Sequence, residues 1–160
     1  MGKLNFRRII ITGGSHGIGF AIAKECTSQG AEVIIAARDQ DSLYESLNKI
    51  KSTSDKNHLA YSLDVGDLKA VEGFADWIEN ENLEINGLVN CAGVYGPIGK
   101  TPIVDMEAFT QAIMTNFLGT VYMCSVFAPL LVSSMNKKIV NYSGGGAASP
   151  FPNYSAYATS

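Results

Sequence analysis

A glycine-rich segment near the N-terminus has the residue types and spacing to hold a phosphate group. Residues 12–19 read T-G-G-S-H-G-I-G and directly follow the apolar run 9–11. Glycines adopt positive φ angles and leave no Cβ between the backbone and a ligand. A helix-like stretch starts at Ile18, and the free N–H groups and dipole of a helix start favour an anion. The segment therefore predicts a phosphate-binding turn between a strand and a helix.

The glycine spacing narrows the kind of phosphate ligand. Gly13, Gly17 and Gly19 form the pattern G-x-x-x-G-x-G, which is wider than the dinucleotide fingerprint G-x-G-x-x-G. A turn at the first strand-to-helix junction is typical of nucleotide-binding sheets. A P-loop is disfavoured because no Lys-Ser or Lys-Thr pair follows Gly19.

Composition limits the remaining classes of function. A chain of 160 residues with 46% apolar and 17% charged residues predicts one soluble domain over residues 1–160. A net charge of -3 offers no basic field for nucleic acid. The three cysteines and two histidines lie far apart, which predicts neither a disulfide framework nor a metal site. The longest apolar stretch, 121–132, is too short for a membrane span, so we expect a cytoplasmic protein.

These residues must be positioned by alternating strands and helices. Short β-branched runs alternate with amphipathic segments, which is typical of right-handed βαβ units in a doubly wound parallel α/β sheet. The predicted strands are 9–12, 32–37, 58–63, 87–90 and 138–142. The predicted helices are 17–29, 41–51 with a capping box from Ser42 to Glu45, a third from Asp67, and 106–134 with a break near 116–119.

Four landmarks in this order resemble the short-chain dehydrogenase/reductase family. They are the glycine segment 12–19, N-C-A-G at 90–93, Asn116, and a Ser-Gly loop followed by Tyr157. The resemblance covers the whole chain. It implies a Rossmann-type fold and a homo-oligomeric oxidoreductase that moves a hydride between a nicotinamide cofactor and a small carbonyl or alcohol substrate.

The resemblance assigns cofactor contacts residue by residue. Asp64 and Val65 would lie at the adenine, although Asp64 could instead cap the following helix. The other implied contacts are Thr12, Gly13, Ser15, Gly17, Ile18 and Gly19 at the adenosine and pyrophosphate, and Asn90, Ala92 and Gly93 from the fourth strand.

The end of the second strand bears on cofactor choice. Members of the family that use NAD usually carry an acidic residue there, whereas this chain has Ala37 followed by Arg38. An arginine can pair with a 2′-phosphate, and His16 occupies a position that is often basic in the NADP users. We therefore expect NADP(H). Asp39 keeps NAD(H) as the alternative, unless it serves the start of the next helix.

The resemblance implies that Tyr157 donates or accepts the proton at the substrate oxygen; Tyr154 is a weaker candidate. A free phenol has a pKa of about 10, so such a tyrosine needs a nearby positive charge near neutrality. The family supplies it with a lysine four residues later, whereas this chain ends at Ser160. We therefore expect the chain as given to be inactive and to lack the family's C-terminal strands and helices, which would leave the fifth strand as an exposed edge.

Two further catalytic positions follow from the resemblance. The family's substrate-orienting serine lies thirteen residues before the tyrosine, where this chain has Gly144; Ser143 is the adjacent candidate and Ser149 is less well placed. The backbone of Asn116 would hold a helix break and a relay water, or Asn116 is a polar kink residue.

The sequence leaves the substrate and two other functions open. The segments that would shape the substrate pocket are 94–101, 143–154 and a downstream loop that we expect this chain to lack. They are partly missing and, apart from Lys100, chemically neutral. Steroids, sugars, fatty acyl groups and small ketones all remain. A nucleotide-binding protein without turnover, and an epimerase or dehydratase on the same fold, are the alternatives.

Overall fold

The computed structural model describes residues 2–131 and 137–160. These residues form a five-stranded parallel sheet in the order β3-β2-β1-β4-β5. The strands are β1 (Arg8–Thr12), β2 (Glu32–Ala37), β3 (Leu59–Ser62), β4 (Gly87–Asn90) and β5 (Lys138–Asn141).

Helices connect the strands. The helices are α1 (Gly17–Ser28), α2 (Gln40–Lys51), α3 (Leu68–Asn80), α4 (Met106–Ile113), α5 (Gly119–Phe127) and α6 (Ser155–Thr159), with a π-helix at Met114–Leu118. Strands alternating with helices in a parallel sheet confirm the predicted doubly wound Rossmann-type fold.

The alternation of side chains along β1 explains why helices cover both faces of the sheet. Ile10 and Ile11 are both fully buried, but successive strand residues point to opposite faces. Ile10 packs in a core with Phe74 of α3 and Phe127 of α5. Ile11 packs in a second core that contains Leu43 of α2.

The order of the strands in the sheet leaves a crevice in which a ligand can bind. The chain runs outward from β1 through β2 to β3, then returns to place β4 on the other side of β1. The carboxyl ends of β1 and β4 therefore lie side by side, with their following loops diverging. Ligands of open parallel sheets bind in the crevice at such a switch point.

The predicted strand and helix boundaries need small corrections. The third strand begins at Leu59 because the backbone N–H of His58 closes a turn on the carbonyl of Lys56, at 3.0 Å. The capping box predicted from Ser42 is wrong, because Asp39 caps α2 by accepting the backbone N–H of Ser42.

The predicted long helix 106–134 is divided at the expected place. The π-helix at Met114–Leu118 separates α4 from α5, and α5 ends at Phe127. Its predicted end, beyond Leu131, lies outside the described residues. Among residues 2–131 and 137–160, no helix is both long and apolar enough to cross a membrane.

β5 is an edge strand, as expected. In the described sheet it pairs with β4, through the register Leu88 to Ile139 and Val89 to Val140. Val140 is 48% exposed, so one face of this edge leaves apolar surface uncovered. An uncovered apolar strand edge is a surface at which other chain segments can pack.

Candidate functional site

The turn after β1 is built from glycines, two of which leave no room for a side chain. Gly13 has a φ of +66°, and a Cβ there would lie 2.9 Å from the Cα of Ala92. A Cβ on Gly19 would lie 2.3 Å from the carbonyl oxygen of Gly13. Gly17 has open space around it but a φ of +51°, so it is needed for the backbone conformation itself. The turn therefore brings α1 close to β1 and β4.

The start of α1 leaves its backbone N–H groups without a side-chain cap. His16 is the N-cap residue and makes no capping hydrogen bond; its Nδ1 lies 2.8 Å from the Ser15 hydroxyl instead. By contrast, the carboxylates of Asp39, Asp67 and Asp105 cap α2, α3 and α4. Uncapped N–H groups at the positive end of a helix dipole are suited to bind a phosphate.

A cleft of about 750 Å³ opens at the carboxyl ends of the strands. It is lined by every predicted site residue except Thr12, Asn90 and the weaker candidates Ser149 and Tyr154. The predicted residues that line it are Gly13, Ser15, His16, Gly17, Ile18, Gly19, Arg38, Asp64, Val65, Ala92, Gly93, Asn116, Ser143 and Tyr157.

Thr12 and Asn90 lie beneath the cleft. Thr12 is 1% exposed, and its hydroxyl accepts the backbone N–H groups of Cys91 and Ala92 at 3.0 and 3.1 Å. Asn90 is 4% exposed and donates from Nδ2 to Oδ1 of Asn141 at 2.9 Å. Both residues join neighbouring strands, so they support the cleft floor without lining it.

The loop after β2 carries two charged side chains, and among the described residues only one of them, Asp39, has a hydrogen-bond partner. Asp39 accepts the backbone N–H of Ser42 at 2.8 Å, and hydrogen bonds from Ser42 lower the pKa of its carboxyl group. Its helix-start role is therefore confirmed. The side chain of Arg38 is exposed and makes no hydrogen bond or ion pair with the described residues. Its guanidinium is available to an anion in the cleft.

Asp64 lines the cleft from the end of β3. Its Oδ1 accepts the backbone N–H of Gly66 at 2.9 Å. Asp67, not Asp64, caps α3 by accepting the N–H of Lys69 at 2.9 Å. The helix-cap alternative for Asp64 is therefore wrong, and its turn holds the carboxylate at the cleft wall.

Asn116 connects the π-helix to the loop after β4. Its Oδ1 accepts the N–H of Val94, and its Nδ2 donates to the carbonyl of the same residue, each at 2.8 Å. Nδ2 also lies 2.8 Å from the hydroxyl of Ser160. Asn116 lies in the π-helix, and these bonds attach its side chain to the loop after β4, in the same cleft that the glycine turn and Tyr157 line.

Tyr157 lies on α6 and lines the cleft, whereas Tyr154 does not. A Cβ on Gly144 would lie 2.4 Å from the Tyr157 hydroxyl, so a side chain at position 144 would displace the tyrosine. Ser143 lines the cleft, and Ser149 is outside it. The catalytic role of Ser143 stays a prediction.

Several cleft residues gave no signal in the sequence. Phe117, Val121 and Tyr142 also line the cleft, but apolar residues at such spacing are typical of a core. Cys91 also lines the cleft, where burial raises the pKa of its thiol above the usual value. Among the residues the structure describes, no group of three His, Cys, Asp or Glu could hold a metal ion.

Known proteins resemble this chain in sequence and in fold. (+)-Neomenthol dehydrogenase from Arabidopsis thaliana is 31% identical over 157 residues, covering 86% of this chain and 53% of that protein. A short chain dehydrogenase from Escherichia coli CFT073, solved with NADPH, has a TM-score of 0.90 at 25% identity, over 98% of this chain and 66% of that one.

A third comparison concerns the fold alone. NAD+-bound xylitol dehydrogenase has a TM-score of 0.91 at 22% identity, over 98% of this chain and 60% of that one. The chain spans about half the length of the curated relatives it matches. Residues 7–160 match the family described as short chain dehydrogenase, so this chain belongs to the short-chain dehydrogenase family.

Proposed function

We propose that the protein transfers a hydride between NADP(H) and a carbonyl or alcohol substrate, with Tyr157 as the acid and base. The family is one of oxidoreductases. The observation that carries the proposal is the continuity of one cleft, which is lined by the glycine turn at one end and by Tyr157 at the other. A cofactor on the turn can therefore extend toward the tyrosine.

The residues of the turn fit a dinucleotide. A Cβ at Gly13 or Gly19 would come within 3.0 Å of neighbouring backbone atoms, so glycine lets the start of α1 approach β1 and β4. The exposed residues 16–18 leave backbone free for a phosphate. The uncapped N–H groups of α1 would hold that phosphate. Asp64 and Val65 would contact the adenine end. When bound, the nicotinamide supplies or accepts the hydride.

The charges after β2 favour NADP(H) over NAD(H). An acidic residue that binds the ribose hydroxyls needs free carboxylate oxygens, and Asp39 already uses its Oδ1 to cap α2, which leaves only its Oδ2. Arg38 adds a free guanidinium at the same wall, and such a group binds a phosphate by two parallel hydrogen bonds. A 2′-phosphate therefore finds a partner in Arg38.

Replacing Arg38 tests this preference. We expect Arg38→Ala to weaken NADPH binding about 10-fold to 100-fold, because a hydrogen bond to a charged group contributes about 1.5–3 kcal/mol. NADH binding should change little. The measurement is calorimetric titration of both dinucleotides. Lys51→Ala, at the far end of α2, removes a positive charge away from the cleft and should leave both affinities unchanged. Tenfold tighter binding of NADH than NADPH by the unchanged chain would contradict the preference.

Tyr157 would exchange a proton with the substrate oxygen, and it needs a positive charge to do so near neutrality. Among the described residues that line the cleft from Val94 onward, none is Lys, Arg or His. We therefore propose that residues 1–160 bind the cofactor but do not turn over by themselves. The nucleotide-binding alternative without turnover is favoured by the same observation and by Gly144, which stands at the position of the family's serine.

To test the role of Tyr157, the oxidation of NADPH in the presence of a carbonyl compound is measured. The protein used is the product of the complete gene. We expect Tyr157→Phe to lower the rate at least about 100-fold, since it removes the acid and base. Tyr154→Phe is the matched control and should retain the rate. Oxidation that survives Tyr157→Phe would overturn the role of Tyr157. Tight NADPH binding with no oxidation by any variant would support the binding protein instead.

The cytoplasmic location and the homo-oligomeric state stay predictions. The exposed edge of β5 is the described surface that supports self-association, because its Val140 is uncovered. A reduced environment fits the three free cysteines, Cys26, Cys91 and Cys124.

A further inference from the structure

We propose that Gly144 and Tyr95 are positioning residues for Tyr157. The missing side chain at Gly144 leaves the space that the Tyr157 hydroxyl occupies, and the ring of Tyr95 keeps the phenol in that place. The proposal rests on the proposed function, because it concerns the placement of the group that would exchange the proton. It gives Gly144 a use of its own at the position where the family has its serine.

Gly144 contacts the reactive end of the tyrosine. A Cβ on Gly144 would lie 2.5 Å from Cζ of Tyr157 and 2.7 Å from its Cε1, and closer still to the hydroxyl oxygen. Carbon atoms in contact are normally about 3.5–4.0 Å apart. A side chain at position 144 and the phenol in its present place therefore exclude each other. A serine could be introduced there only if the hydroxyl of Tyr157 moved.

The adjacent glycine lacks this contact. A Cβ on Gly145 would meet no described heavy atom within 4 Å beyond its chain neighbours. Gly145 also has no positive φ angle, so its backbone accepts other residues. The two glycines therefore differ in their contact with Tyr157. Substitutions at these two positions separate the placement of the phenol from the general cost of altering the loop.

The ring of Tyr157 has aromatic neighbours as well. Tyr95 meets it edge-on, with ring centroids 5.1 Å apart and an interplanar angle of 64°. This geometry is one that aromatic pairs prefer. The ring of Phe151 lies further away, with its centroid 6.2 Å from that of Tyr157. Gly144 thus borders the hydroxyl end of the phenol, and Tyr95 is its nearest described aromatic partner.

The residue after Tyr95 holds it against α6. Gly96 has a φ of +67°, and a Cβ there would lie 2.8 Å from Cβ of Ala112 on α4 and 2.9 Å from Cβ of Ala156 on α6. Both alanines are fully buried. Glycine at position 96 therefore lets the loop after β4 pack directly on α6. Because Ala156 precedes Tyr157 in the chain, this packing brings Tyr95 beside the tyrosine.

Hydrogen bonds fix the same loop further along. The N–H of Gly99 donates to the carbonyl of Asn153 at 2.8 Å. The hydroxyl of Thr101 donates to that of Ser155 at 3.1 Å. These bonds attach the loop after β4 to the segment that leads into α6. Tyr95 is 58% exposed, so its place depends on this attached backbone more than on burial of its ring.

The position of a phenol oxygen is sensitive to such contacts. The oxygen lies at the end of a long side chain, so a small rotation about the Cα–Cβ bond moves it far. Proton transfer requires it to lie within hydrogen-bond reach of the substrate oxygen. A misplacement of about 1 Å can lower a rate about 100-fold. Gly144 and Tyr95 should therefore affect the rate of the reaction more than the binding of the cofactor.

Replacing Gly144 with the family's serine tests the exclusion. The oxidation of NADPH with 4-nitrobenzaldehyde is measured for the product of the complete gene, and NADPH affinity is measured by titration. We expect Gly144→Ser to lower kcat about 10-fold to 100-fold at nearly unchanged NADPH affinity, because the hydroxyl is displaced. Gly145→Ser is the matched control and should keep both values. An unchanged or higher kcat in Gly144→Ser overturns the role of Gly144.

A pair of variants tests Tyr95 in the same assay. Tyr95→Ala should lower kcat about 2-fold to 10-fold at unchanged NADPH affinity, which corresponds to the loss of one aromatic pair. Tyr95→Phe keeps the ring and should retain kcat. Tyr44→Ala, at an exposed tyrosine of α2, should alter neither value. An unchanged kcat in Tyr95→Ala, or an equal loss in Tyr95→Phe, overturns the role of Tyr95.

A nuclear Overhauser effect locates the phenol without relying on turnover. In the same protein labelled with 13C-glycine and 13C-tyrosine, we expect this effect between the Hα atoms of Gly144 and the ring protons of Tyr157. It should weaken in Tyr95→Ala and persist in Tyr95→Phe. Its absence from the unchanged protein overturns the proposal. If the contact is present but NADPH is not oxidised, the placement of Tyr157 is supported and the proposed function is contradicted instead.

Discussion

The buried hydroxyl of Thr12 connects the glycine turn at residues 12–19 to the loop after β4. Thr12 ends β1, and its side chain accepts two backbone N–H groups from the segment that follows β4. Parallel strands leave such N–H groups unpaired where the chain turns away from the sheet, and buried N–H groups need acceptors. The hydroxyl of Thr12 therefore sets where Ala92 and Gly93 lie relative to Gly13.

Thr12→Val tests this coupling at the scale of one residue. Valine keeps the shape but removes the acceptor, so we expect the free energy of unfolding to fall by about 1–3 kcal/mol. NADPH should also bind more weakly, since Gly93 lines the cleft. Urea unfolding and dinucleotide titration measure both effects. Thr110→Val, at an exposed position of α4, is the matched control; an equal loss in both variants would argue against the coupling.

At the scale of elements, a buried histidine joins the start of β3 to β2. His58 is fully buried; its Nδ1 accepts the N–H of Val33 at 3.2 Å, and its Nε2 lies 3.0 Å from the Ser54 hydroxyl. Burial lowers the pKa of His58 below the ordinary 6.5, and Lys51 and Lys56 lower it further against the opposing effect of Glu32. A protonated ring could not accept from Val33.

This pKa shift predicts a pH-dependent stability. The unfolded chain takes up the proton near pH 6.5, but the folded chain takes it up only at a lower pH. The contribution of a neutral His58 is therefore complete above pH 6.5 and is lost as the pH falls through the folded pKa. Urea unfolding across this range measures it. His58→Gln should flatten this part of the profile, and His16→Gln, at an exposed position, should not; equal profiles would contradict the assignment.

At the scale of the whole molecule, an aromatic cluster holds one face of the sheet together. Phe74 of α3 is fully buried, stacks on Tyr61 of β3 at 4.4 Å and lies 5.1 Å from the ring of Phe127 of α5. The ring of Trp77 lies 6.0 Å from that of Phe74, so this tryptophan packs against the same cluster. A single ring therefore connects two helices that follow different strands.

Phe74→Ala should destabilise the whole fold. The loss of a buried phenylalanine costs about 3–5 kcal/mol, partly because the neighbouring rings cannot close the cavity. Because Trp77 is the sole tryptophan, its fluorescence reports the unfolding transition in urea. Phe6→Ala, where the ring is 85% exposed, should change the free energy of unfolding by less than about 0.5 kcal/mol. A loss below 1 kcal/mol for Phe74→Ala, on the order of a surface change, would contradict this.

The sequence by itself determined the strands and helices and the glycine turn at one end of the cleft. Strands and helices follow from apolar periodicity, and Gly13, Gly17 and Gly19 are needed by a turn that is local in the chain. The residues that line the cleft around the turn could therefore be predicted, including Arg38 in the loop after β2. Local backbone geometry and short spacing carry this information.

Only the tertiary structure decided which side chains meet at the cleft and which serve other contacts. Thr12 and Asn90 lie under the cleft, Asp39 is used as a helix cap, and Tyr95 stands beside Tyr157 although 62 positions separate them. The same apolar and small polar residue types occur in a protein core and at a binding site. The sequence therefore does not show which segments of the chain come into contact. The end of the cleft beside Tyr157 is formed by such contacts between distant loops, so the pairing of Tyr95 with Tyr157 appeared only in the folded chain.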